Sequence, residues 1–498
     1  MSMRRALSMR GAAMASCRGF LGAGPSATSS TTQQDFDVVV FGGGMIGSAL
    51  ACLLKQSPLT SELKVAVVDR NAPSSPSSSI PDLPQVPDIR VSTLTPSTLA
   101  LIDRVGANWA IHSTRSASFQ DMQVWDQTAS RKHMRFSGSG EGPLGRVVEN
   151  EVIKSALQRR AQELGCEYAS GGVKEVLAPR PRVGITREAG DDDDLCDRPS
   201  VVFEDGRVLS APLLVGADGS ESIVAKSAGI RYEGRAYGQR AVTCTVDVSR
   251  PFATAFQRFL PTGPIALLPV RGGRGNIVWS TTPEHARRLE SLGARDFAAE
   301  ATEALTVEGE PVPSSSSSSR GGGGWESALA SRASALLGLR GGASPPAAFE
   351  DPPEVVSVAG GRQRSFPLAS KHALTYCQRG VVLVGDAAHR IHPLAGQGVN
   401  IGFGDCELLV TTIQEALWSG QDFSANLTLE KYAAERRNKN GAMIRSLDAV
   451  RALYQSESPY VEAARSFGMD LINGFGPLKQ VFVGVASSNA AAADIRSP

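Results

Sequence analysis

The sequence predicts an α/β fold of the two-domain α+β kind. A nucleotide-binding domain on a parallel sheet is expected, then a second domain on a mainly antiparallel sheet, then C-terminal helices. Three features lead to this prediction: a strand–helix–strand unit near residue 40, strand-like segments between residues 240 and 280, and helical sequence beyond Asn440. The chain has 498 residues, and a chain of this length is expected to form more than one packed unit.

The first unit begins at Asp35. Residues 37–41 form a short apolar, β-branched run, which is typical of a buried strand. Residues 45–54 are predicted as an apolar helix and residues 64–68 as a second buried strand. Because a right-handed crossover places two such strands parallel, this segment predicts the first βαβ unit of a Rossmann-like domain.

A glycine-rich turn, Gly42-x-Gly44-x-x-Gly47, joins that strand to that helix. Gly42 permits a tight turn, Gly44 lets a pyrophosphate approach the backbone, and Gly47 lets the helix pack closely on the strand. The helix N-terminus then offers free N–H groups to the phosphates. Asp69 follows the next strand, where a carboxylate can bind the hydroxyl groups of an adenosine ribose. The alternative for Asp69 is a surface acid at a strand end.

Two further apolar strands end in small residues and an aspartate. Residues 213–219 (LLVGADG) end in Asp218 and Gly219, and the strand that begins at residue 381 ends in Gly385 and Asp386. Such strand ends can bind a polyol or a phosphate at the carboxyl edge of a sheet. The second leads into residues 392–400 (HPLAGQGVN), where Pro393 and the glycines bring backbone close to a flat ligand.

The middle of the chain predicts the second domain. Residues 241–248 and 276–280 are strand-like and have turn residues between them, which favours an antiparallel sheet. Low-complexity stretches at residues 73–79, 191–194 and 314–324 are predicted to be surface loops, because they cannot bury enough apolar area to offset their ordering entropy.

Composition excludes several classes of function. The net charge is +1, so no overall field favours nucleic acid. No apolar run reaches the roughly 18 residues of a membrane-spanning helix. The seven cysteines form no C-x-x-C pair, so neither a zinc site nor a disulfide framework is expected. The sequence also lacks the G-x-S-x-G elbow of many hydrolases.

Residues 1–34 have the composition of an organellar presequence, since they are rich in arginine, serine and alanine and contain no acid. Mitochondrial import is favoured, with plastid import and a merely disordered start as the alternatives. The predicted nucleotide-binding domain comprises residues 35–104, 148–230 and 376–440. The predicted substrate domain comprises residues 105–147 and 231–375, with a low-complexity insertion near 311–350, and residues 441–498 form a C-terminal helical region.

The three motifs, in this order and spacing, resemble those of the class A flavoprotein aromatic hydroxylases. The resemblance implies a fold like that of p-hydroxybenzoate hydroxylase and FAD as the cofactor. It implies that the ADP half contacts the glycine turn and Asp69, that Arg90 lies near flavin and pyrophosphate, that Asp386 binds the ribitol chain, and that the loop up to Asn400 lies along the isoalloxazine. The expected cofactor-binding residues are Gly42, Gly44, Gly47, Asp69, Arg90, Asp218, Gly219, Gly385, Asp386, Pro393, Gly396, Gln397, Gly398 and Asn400.

Six segments resemble, more narrowly, the mitochondrial flavin monooxygenases of ubiquinone biosynthesis; they are IRVSTLTPST, MQVWD, VVENEVI, IALLPV, VWSTTPEHA and GDAAHRIHPLAGQGVNIGFGD. This resemblance implies hydroxylation of a polyprenylated 4-hydroxybenzoate-derived ring with O2, through a flavin C4a-hydroperoxide. It also implies a peripheral position on the matrix side of the inner membrane, in contact with other biosynthetic proteins. The alternatives are an NAD(P)H-driven flavin hydroxylase of another phenol and a non-catalytic interaction protein on the same fold.

One departure from the family concerns the source of electrons. The second motif usually continues Ser-x-Val-Arg, but here the arginine position holds Ala225, followed by Lys226. In many relatives this motif also contacts NAD(P)H, so its loss favours electron supply by a ferredoxin and its reductase.

No catalytic side chain is required, because the flavin carries the chemistry. His389 and His392 are candidates for a catalytic role, although loop structure and hydrogen bonding near the flavin is the favoured interpretation. No metal site is expected, since no third ligand is near these histidines.

Overall fold

A computed structural model describes residues 32–71, 85–108, 111, 115–127, 133–138, 142–179, 198–306, 348–393, 396 and 398–455. Most of the predicted presequence, the three low-complexity stretches, Gln397 and the chain beyond residue 455 lie outside the described residues.

The described strands are β1 (Gln33–Asp35), β2 (Val38–Phe41), β3 (Val65–Val68), β4 (Val91–Leu94), β5 (Ser116–Phe119), β6 (Asp121–Asp126), β7 (His133–Ser137), β8 (Gly145–Glu149), β9 (Glu167–Ala169), β10 (Val173–Leu177), β11 (Ser200–Phe203), β12 (Val208–Ser210), β13 (Leu213–Gly216), β14 (Tyr232–Val248), β15 (Thr254–Leu260), β16 (Gly263–Val270), β17 (Arg274–Thr281), β18 (Val355–Ala373), β19 (Cys377–Gln378), β20 (Val381–Leu383) and β21 (His389–Arg390). The described helices are α1 (Met45–Gln56), α2 (Pro96–Arg104), α3 (Asn150–Glu163), α4 (Ile223–Ser227), α5 (Pro283–Ser291), α6 (Ala294–Thr306), α7 (Gly398–Trp418) and α8 (Asn426–Gln455). None of these helices is both long and apolar enough to cross a membrane.

A six-stranded sheet in the order β19-β20-β13-β2-β3-β9 forms the centre of the first core. All neighbours are parallel except the edge strand β19, which runs antiparallel to β20. Every residue of β2, β3 and β13 is buried, as expected for parallel strands covered on both faces. Residues of α1, α3 and α7 belong to the same apolar core. The predicted Rossmann-like βαβ unit is therefore confirmed, with α1 two residues longer than expected.

An eight-stranded sheet, β21-β18-β14-β17-β16-β15-β6-β7, forms the second core. Its neighbours are antiparallel except β15 and β6, which confirms the mainly antiparallel second domain. Side chains alternate across it, as the period of two in a strand requires. On β17, Ile277 and Trp279 pack with residues of α5 and α6, whereas Asn276, Val278 and Ser280 line a cavity on the other face.

Two smaller sheets complete the described fold. The four-stranded sheet has the order β1-β12-β11-β10, and the three-stranded antiparallel sheet has the order β4-β8-β5. Phe119 of β5 and Val147 of β8 share an apolar cluster with Ala255 and Val270 of the large sheet. The three-stranded sheet is thereby held against the cavity face of the eight-stranded sheet.

The long helix α8 joins the two cores. Near its start, Leu429 and Tyr432 are buried in the core of the parallel sheet. Near its end, the ring of Tyr454 stacks on Phe259 of β15 at 3.8 Å between ring centroids. The helix spans residues 440 and 441, between which the predicted C-terminal helical region begins.

Candidate functional site

The three sequence motifs meet at one edge of the parallel sheet. The adjacent strands β20, β13 and β2 lead into Gly385, Ala217 and Gly42 respectively, and β3 ends next to Asp69. Backbone bonds tie these strand ends together, since the Ala217 N–H donates to the Phe41 carbonyl at 2.8 Å. Because parallel strands present their carboxyl ends at the same edge, the fold collects the predicted nucleotide-binding residues there.

Two of the three glycines in the first turn are required by the protein itself. Gly42 has a φ of +113°, and a Cβ on it would lie 2.3 Å from the Ala217 carbonyl oxygen. A Cβ on Gly47 would lie 1.9 Å from the Gly42 carbonyl oxygen. Gly44 differs, because a Cβ there would meet no described atom within 4 Å. The space over Gly44, at the N-terminus of α1, is therefore open to a ligand.

Asp69 is hydrogen-bonded to the glycine turn. Its Oδ2 accepts a hydrogen bond from the Gly43 N–H at 2.8 Å, and its Oδ1 accepts one from the Asn71 N–H at 2.8 Å. Each carboxylate oxygen has further acceptor capacity. The position therefore combines a fixed orientation with the ability to receive ligand hydroxyl groups.

Two buried side chains that sequence reasoning missed hold the other side of this turn. The Gly43 carbonyl accepts hydrogen bonds from the Gln158 amide at 2.7 Å and from the Ser48 hydroxyl at 3.1 Å. Gln158 lies on α3, more than 100 residues away in sequence. The only signal for it is a polar residue on a helix that otherwise buries apolar side chains.

The Asp218 carboxylate accepts hydrogen bonds from the Ser222 hydroxyl at 2.6 Å and from the Ile223 N–H at 2.7 Å, and so holds the start of α4. Burial raises the pKa of Asp218, while these hydrogen bonds act in the opposite direction. Gly219 follows with a φ of +85°.

At the position where the family pattern usually has an arginine, Ala225 is fully buried. The next residue, Lys226, is exposed.

Asp386 presents a free carboxylate at the end of β20. It has no hydrogen-bond partner among the described residues, and the residue is exposed. The surroundings are nevertheless crowded, and this desolvation raises the pKa of Asp386, while the nearby His389 and Arg390 lower it. An exposed carboxylate with unused lone pairs is suited to bind hydroxyl groups.

A buried ion network lies directly behind this strand end. Asp405 of α7 is fully buried, and its two carboxylate oxygens contact His389 Nε2 and Arg436 Nε, each at 2.5 Å. The Asp405 carboxylate also accepts the Gly385 N–H at 2.9 Å. Burial by itself would raise the pKa of Asp405, but His389 and Arg436 outweigh it and hold that pKa at about 2. The contacts assign His389 a structural role in supporting the Gly385 turn.

His392 is only 2% exposed, and neither of its ring nitrogens has a hydrogen-bond partner in the described part of the chain. Its ring meets Tyr237 edge-on at 5.1 Å between ring centroids. Burial lowers the pKa of His392 to about 4, with Arg451 acting in the same direction and Asp448 against it. The imidazole is therefore neutral near pH 7.

Replacing His392 with phenylalanine is expected to make the free energy of unfolding depend less on pH in the acid range. A histidine whose pKa falls from its ordinary 6.5 to about 4 on folding takes up its proton in the unfolded chain first, so stability decreases as the pH falls through that window. Between pH 6.5 and 5 this amounts to about 1.5 kcal/mol. Denaturant unfolding at both pH values would test it. An unchanged pH slope in the variant would contradict this account of His392.

A cavity of about 280 Å³ lies between the eight-stranded sheet and the loop that follows β21. It brings together Arg90, Pro393 and Gly396, three of the predicted residues. The Arg90 guanidinium has no hydrogen bond or ion pair within the described ranges. The lining is predominantly apolar, and its apolar side chains belong to Ile89, Val91, Phe119, Met122, Ala255, Phe256, Pro264, Ala266, Leu268, Val278 and Phe366.

The side chain of Asn400 is hydrogen-bonded within the protein. Its Oδ1 accepts hydrogen bonds from the Thr98 hydroxyl at 2.8 Å and the Thr95 N–H at 3.1 Å, and its amide nitrogen donates to the Thr93 carbonyl at 2.8 Å. It thereby ties the start of α7, which begins at Gly398, to β4 and α2. Gln397 lies outside the described residues, so its predicted position beside the cofactor stays a prediction.

Comparison with known proteins agrees with this geometry. A family model described as an FAD binding domain matches residues 35–321 and 351–446. "Ubiquinone biosynthesis monooxygenase COQ6, mitochondrial" of Xenopus tropicalis is 34% identical over 463 residues, which cover 93% of this chain and 95% of that protein. The chain belongs to this family of FAD-binding monooxygenases. The protein of the same name from Homo sapiens is 31% identical over 467 residues, covering 92% of this chain and 94% of that protein.

Solved structures show the same fold in more distant flavin monooxygenases. The p-nitrophenol 4-monooxygenase PnpA of Pseudomonas putida covers 91% of this chain and 97% of its own, with a TM-score of 0.60 at 17% identity. PqsL of P. aeruginosa, solved with 2-aminobenzoylacetate, covers 88% of this chain and 100% of its own, with a TM-score of 0.60 at 20% identity. The protein is therefore an FAD-dependent monooxygenase of the ubiquinone-biosynthesis family.

The residues present fit FAD. The open backbone over Gly44 suits a pyrophosphate, and Asp69 at the end of β3 suits a ribose. The free carboxylate of Asp386 suits the ribitol hydroxyls, and Gly396 and Pro393 border the cavity where a flat ring system would lie. Along the edge of the parallel sheet, Asp386, Gly44 and Asp69 follow β20, β2 and β3, which is the order of ribitol, pyrophosphate and ribose in the dinucleotide.

Proposed function

We propose that this monooxygenase hydroxylates the aromatic ring of a polyprenylated 4-hydroxybenzoate-derived intermediate of ubiquinone biosynthesis. The observation that carries the proposal is the apolar cavity between the large sheet and the residues expected to contact the flavin. The names of the relatives supply the pathway. The apolar walls suit a prenylated ring, because burial of prenyl and ring carbons against them removes apolar surface from water.

In this proposal the protein binds, orients and shields, while the cofactor supplies the redox chemistry. Bound FAD, once reduced, activates O2 and allows one oxygen atom to be inserted into the ring. The glycine turn and Asp69 hold the ADP half, Asp386 holds the ribitol chain, and Arg90 places a positive charge near the flavin. The apolar lining excludes water, which would otherwise divert the oxygen to peroxide.

Access to the cavity is proposed to pass Phe366. This side chain lines the cavity and is 38% exposed, so it connects the cavity with the protein surface. An apolar residue at the mouth suits a lipid tail that extends outward while the ring lies inside. The proposed location, peripheral on the matrix side of the mitochondrial inner membrane and in contact with other biosynthetic proteins, would place the enzyme where such lipids reside.

Electrons are proposed to come from a ferredoxin and its reductase rather than from NAD(P)H. The support is the buried Ala225 at the position where the family usually carries an arginine. The nearest positive charge, that of Lys226, lies one position after the family arginine position, and this residue is exposed. The purified holoenzyme should therefore oxidise NADPH slowly by itself and turn over when ferredoxin and reductase are added. Rapid NADPH oxidation without them would favour the NAD(P)H-driven hydroxylase.

Lipid mass spectrometry on cells that lack the protein, with and without the restored gene, tests the proposed substrate. We expect ubiquinone to fall and a prenylated 4-hydroxyphenyl precursor lacking one ring oxygen to accumulate, with both effects reversed by the gene. Normal ubiquinone in the deletion cells would overturn the proposed substrate and leave a flavin hydroxylase of another aromatic compound.

A further inference from the structure

One row of side chains crosses the cavity face of the large sheet. Strand register pairs Gln257 of β15 with Ala266 of β16, Ala266 with Val278 of β17, and Val278 with Thr243 of β14. All four residues line the cavity. The Thr243 hydroxyl donates to the Ile89 carbonyl at 2.9 Å and is therefore already bonded. Gln257 is the one member of this row whose polar group is unused among the described residues.

Gln257 differs from other buried glutamines of the same sheet, because its side-chain amide makes no hydrogen bond to a described residue. Gln257 is only 7% exposed, yet neither its amide oxygen nor its nitrogen bonds to any described residue. On the neighbouring strand, Gln123 exchanges two hydrogen bonds with the Glu350 backbone, at 2.8 and 2.9 Å. On β18, Gln363 donates to three carbonyls at the end of α5, the shortest at 2.7 Å to Leu292.

A buried amide without partners lowers stability unless something else pairs with it. The small remaining exposure of Gln257 and its place in the lining point to a ligand in the cavity as that partner. Asn276, another polar residue of the lining, is already bonded through its amide nitrogen, which donates to the Ile89 carbonyl at 3.1 Å, and only its Oδ1 has no partner among the described residues. Gln257 can therefore offer both a donor and an acceptor to one ligand group.

The chemistry of the lining indicates which group this is. A carboxylate on the ring would be matched by the free guanidinium of Arg90, which is the only charged side chain in the described lining. A neutral hydroxyl that both donates and accepts a hydrogen bond matches the neutral amide of Gln257. Within the row, Ala266 and Val278 are apolar, and the polar Asn276 and Ser280 flank Val278 on β17.

We propose that Gln257 is the substrate-binding residue that recognises the ring hydroxyl of the phenolic substrate and so determines the orientation of the ring in the cavity. This inference rests on the proposed function, because it presumes that an aromatic substrate enters the cavity. Recognition of the hydroxyl fixes which ring carbon faces the flavin, and hence where oxygen is inserted.

The test compares two ligands on the FAD-loaded full-length protein. The first probe is 4-hydroxybenzoate with a short prenyl chain at the 3-position, and the second is the same molecule without the ring hydroxyl. Their dissociation constants are read from the change in flavin fluorescence. We expect the wild type to prefer the phenol by about tenfold, as one added hydrogen bond allows. In Gln257→Met, which has nearly the same shape, we expect the preference to fall below about twofold.

A matched control separates recognition from stability. Gln363→Met removes a buried amide that makes three hydrogen bonds, so it should lower the melting temperature and leave the preference for the phenol unchanged. Gln257→Met removes an amide without protein partners, so the melting temperature of the ligand-free protein should stay the same or rise. With the phenol as substrate, this variant should also form more peroxide and less hydroxylated product per electron pair.

The outcomes are distinguishable. If Gln257→Met keeps the tenfold preference for the phenol and the wild-type product yield, the role of Gln257 is overturned while the proposed function stands. If the wild type binds neither probe and hydroxylates neither, the proposed substrate class itself fails. If the wild type binds both probes equally, the ring hydroxyl is not what the cavity recognises, and the inference is again overturned.

Discussion

Replacing Gly44 with valine is expected to yield a folded protein that retains less than about a tenth of the normal FAD, since close backbone approach is what the pyrophosphate requires. A Cβ at this position meets no described atom within 4 Å, and the residue has an ordinary negative φ of −71°. The protein itself therefore tolerates a side chain there. The branched side chain would instead fill the space over the N-terminus of α1 that the pyrophosphate needs.

The measurement is the flavin absorbance per protein after purification, together with circular dichroism and the melting temperature of the apoprotein. Gly142→Val is a matched control, because a Cβ there also meets no described atom within 4 Å and Gly142 is not one of the predicted cofactor-binding residues; it should keep its FAD. Gly47→Val is the opposite control, since its Cβ would lie 1.9 Å from a backbone oxygen and should prevent folding. A Gly44→Val protein with a full complement of FAD would contradict the proposed role of this turn.

This contrast shows why the first half of the site could be predicted from sequence. The motif requires particular backbone shapes at strand ends, and glycine and aspartate report such shapes locally. The strands that carry the motifs are also easy to recognise, because β2, β3 and β13 are buried on both faces and lack alternation. Local signals therefore predict both the parallel sheet and the strand ends that meet at its carboxyl edge.

Other parts of the fold carry no such local signal. The sequence predicts a strand over residues 241–248, but β14 spans 17 residues from Tyr232. Most of its first half is exposed and polar and shows no regular alternation, and it is extended because it pairs with β18. Likewise, the side chain of Asn400 bonds to residues about 300 positions earlier, which no local pattern indicates, and its position beside the flavin stays a prediction. Tertiary pairing decides such features, and a single sequence does not display it.

The buried network around Asp405 is the clearest such case, and it leads to the largest expected loss of stability. Asp405 lies on α7, Arg436 on α8 and His389 on β21, so no local pattern joins them. Asp405→Asn removes the charge that compensates the largely buried Arg436 guanidinium. Breaking one partner of a buried pair leaves the other charge uncompensated, so we expect a loss of roughly 3–5 kcal/mol in the free energy of unfolding.

Denaturant unfolding at pH 7 measures this loss, and Glu407→Gln is the matched control. Glu407 lies two residues further along the same helix and pairs with Arg104 at 2.6 Å, but both side chains are about half exposed. Exposed pairs of this kind contribute less than about 1 kcal/mol, so the control should be nearly as stable as the wild type. Equal losses in the two variants would contradict the special role of the buried network.

The effect of acid provides an independent check on the same group. The pKa of Asp405 is lowered from its ordinary 3.8 to about 2 in the folded protein. Its contribution to stability is therefore fully present above about pH 4 and is lost as the pH falls through 2. Asp405→Asn should lack this final acid step and keep the earlier decline that His392 causes between pH 6.5 and 4.

The same substitution should reach the cofactor, because Asp405 accepts the Gly385 N–H and so holds the turn that presents Asp386. The asparagine of this variant can keep that hydrogen bond through its amide oxygen but cannot hold Arg436 as strongly. We therefore expect the FAD dissociation constant to rise, with a smaller change than Gly44→Val produces. A variant that loses stability but binds FAD with unchanged affinity would show that the network supports the fold alone and does not position the turn.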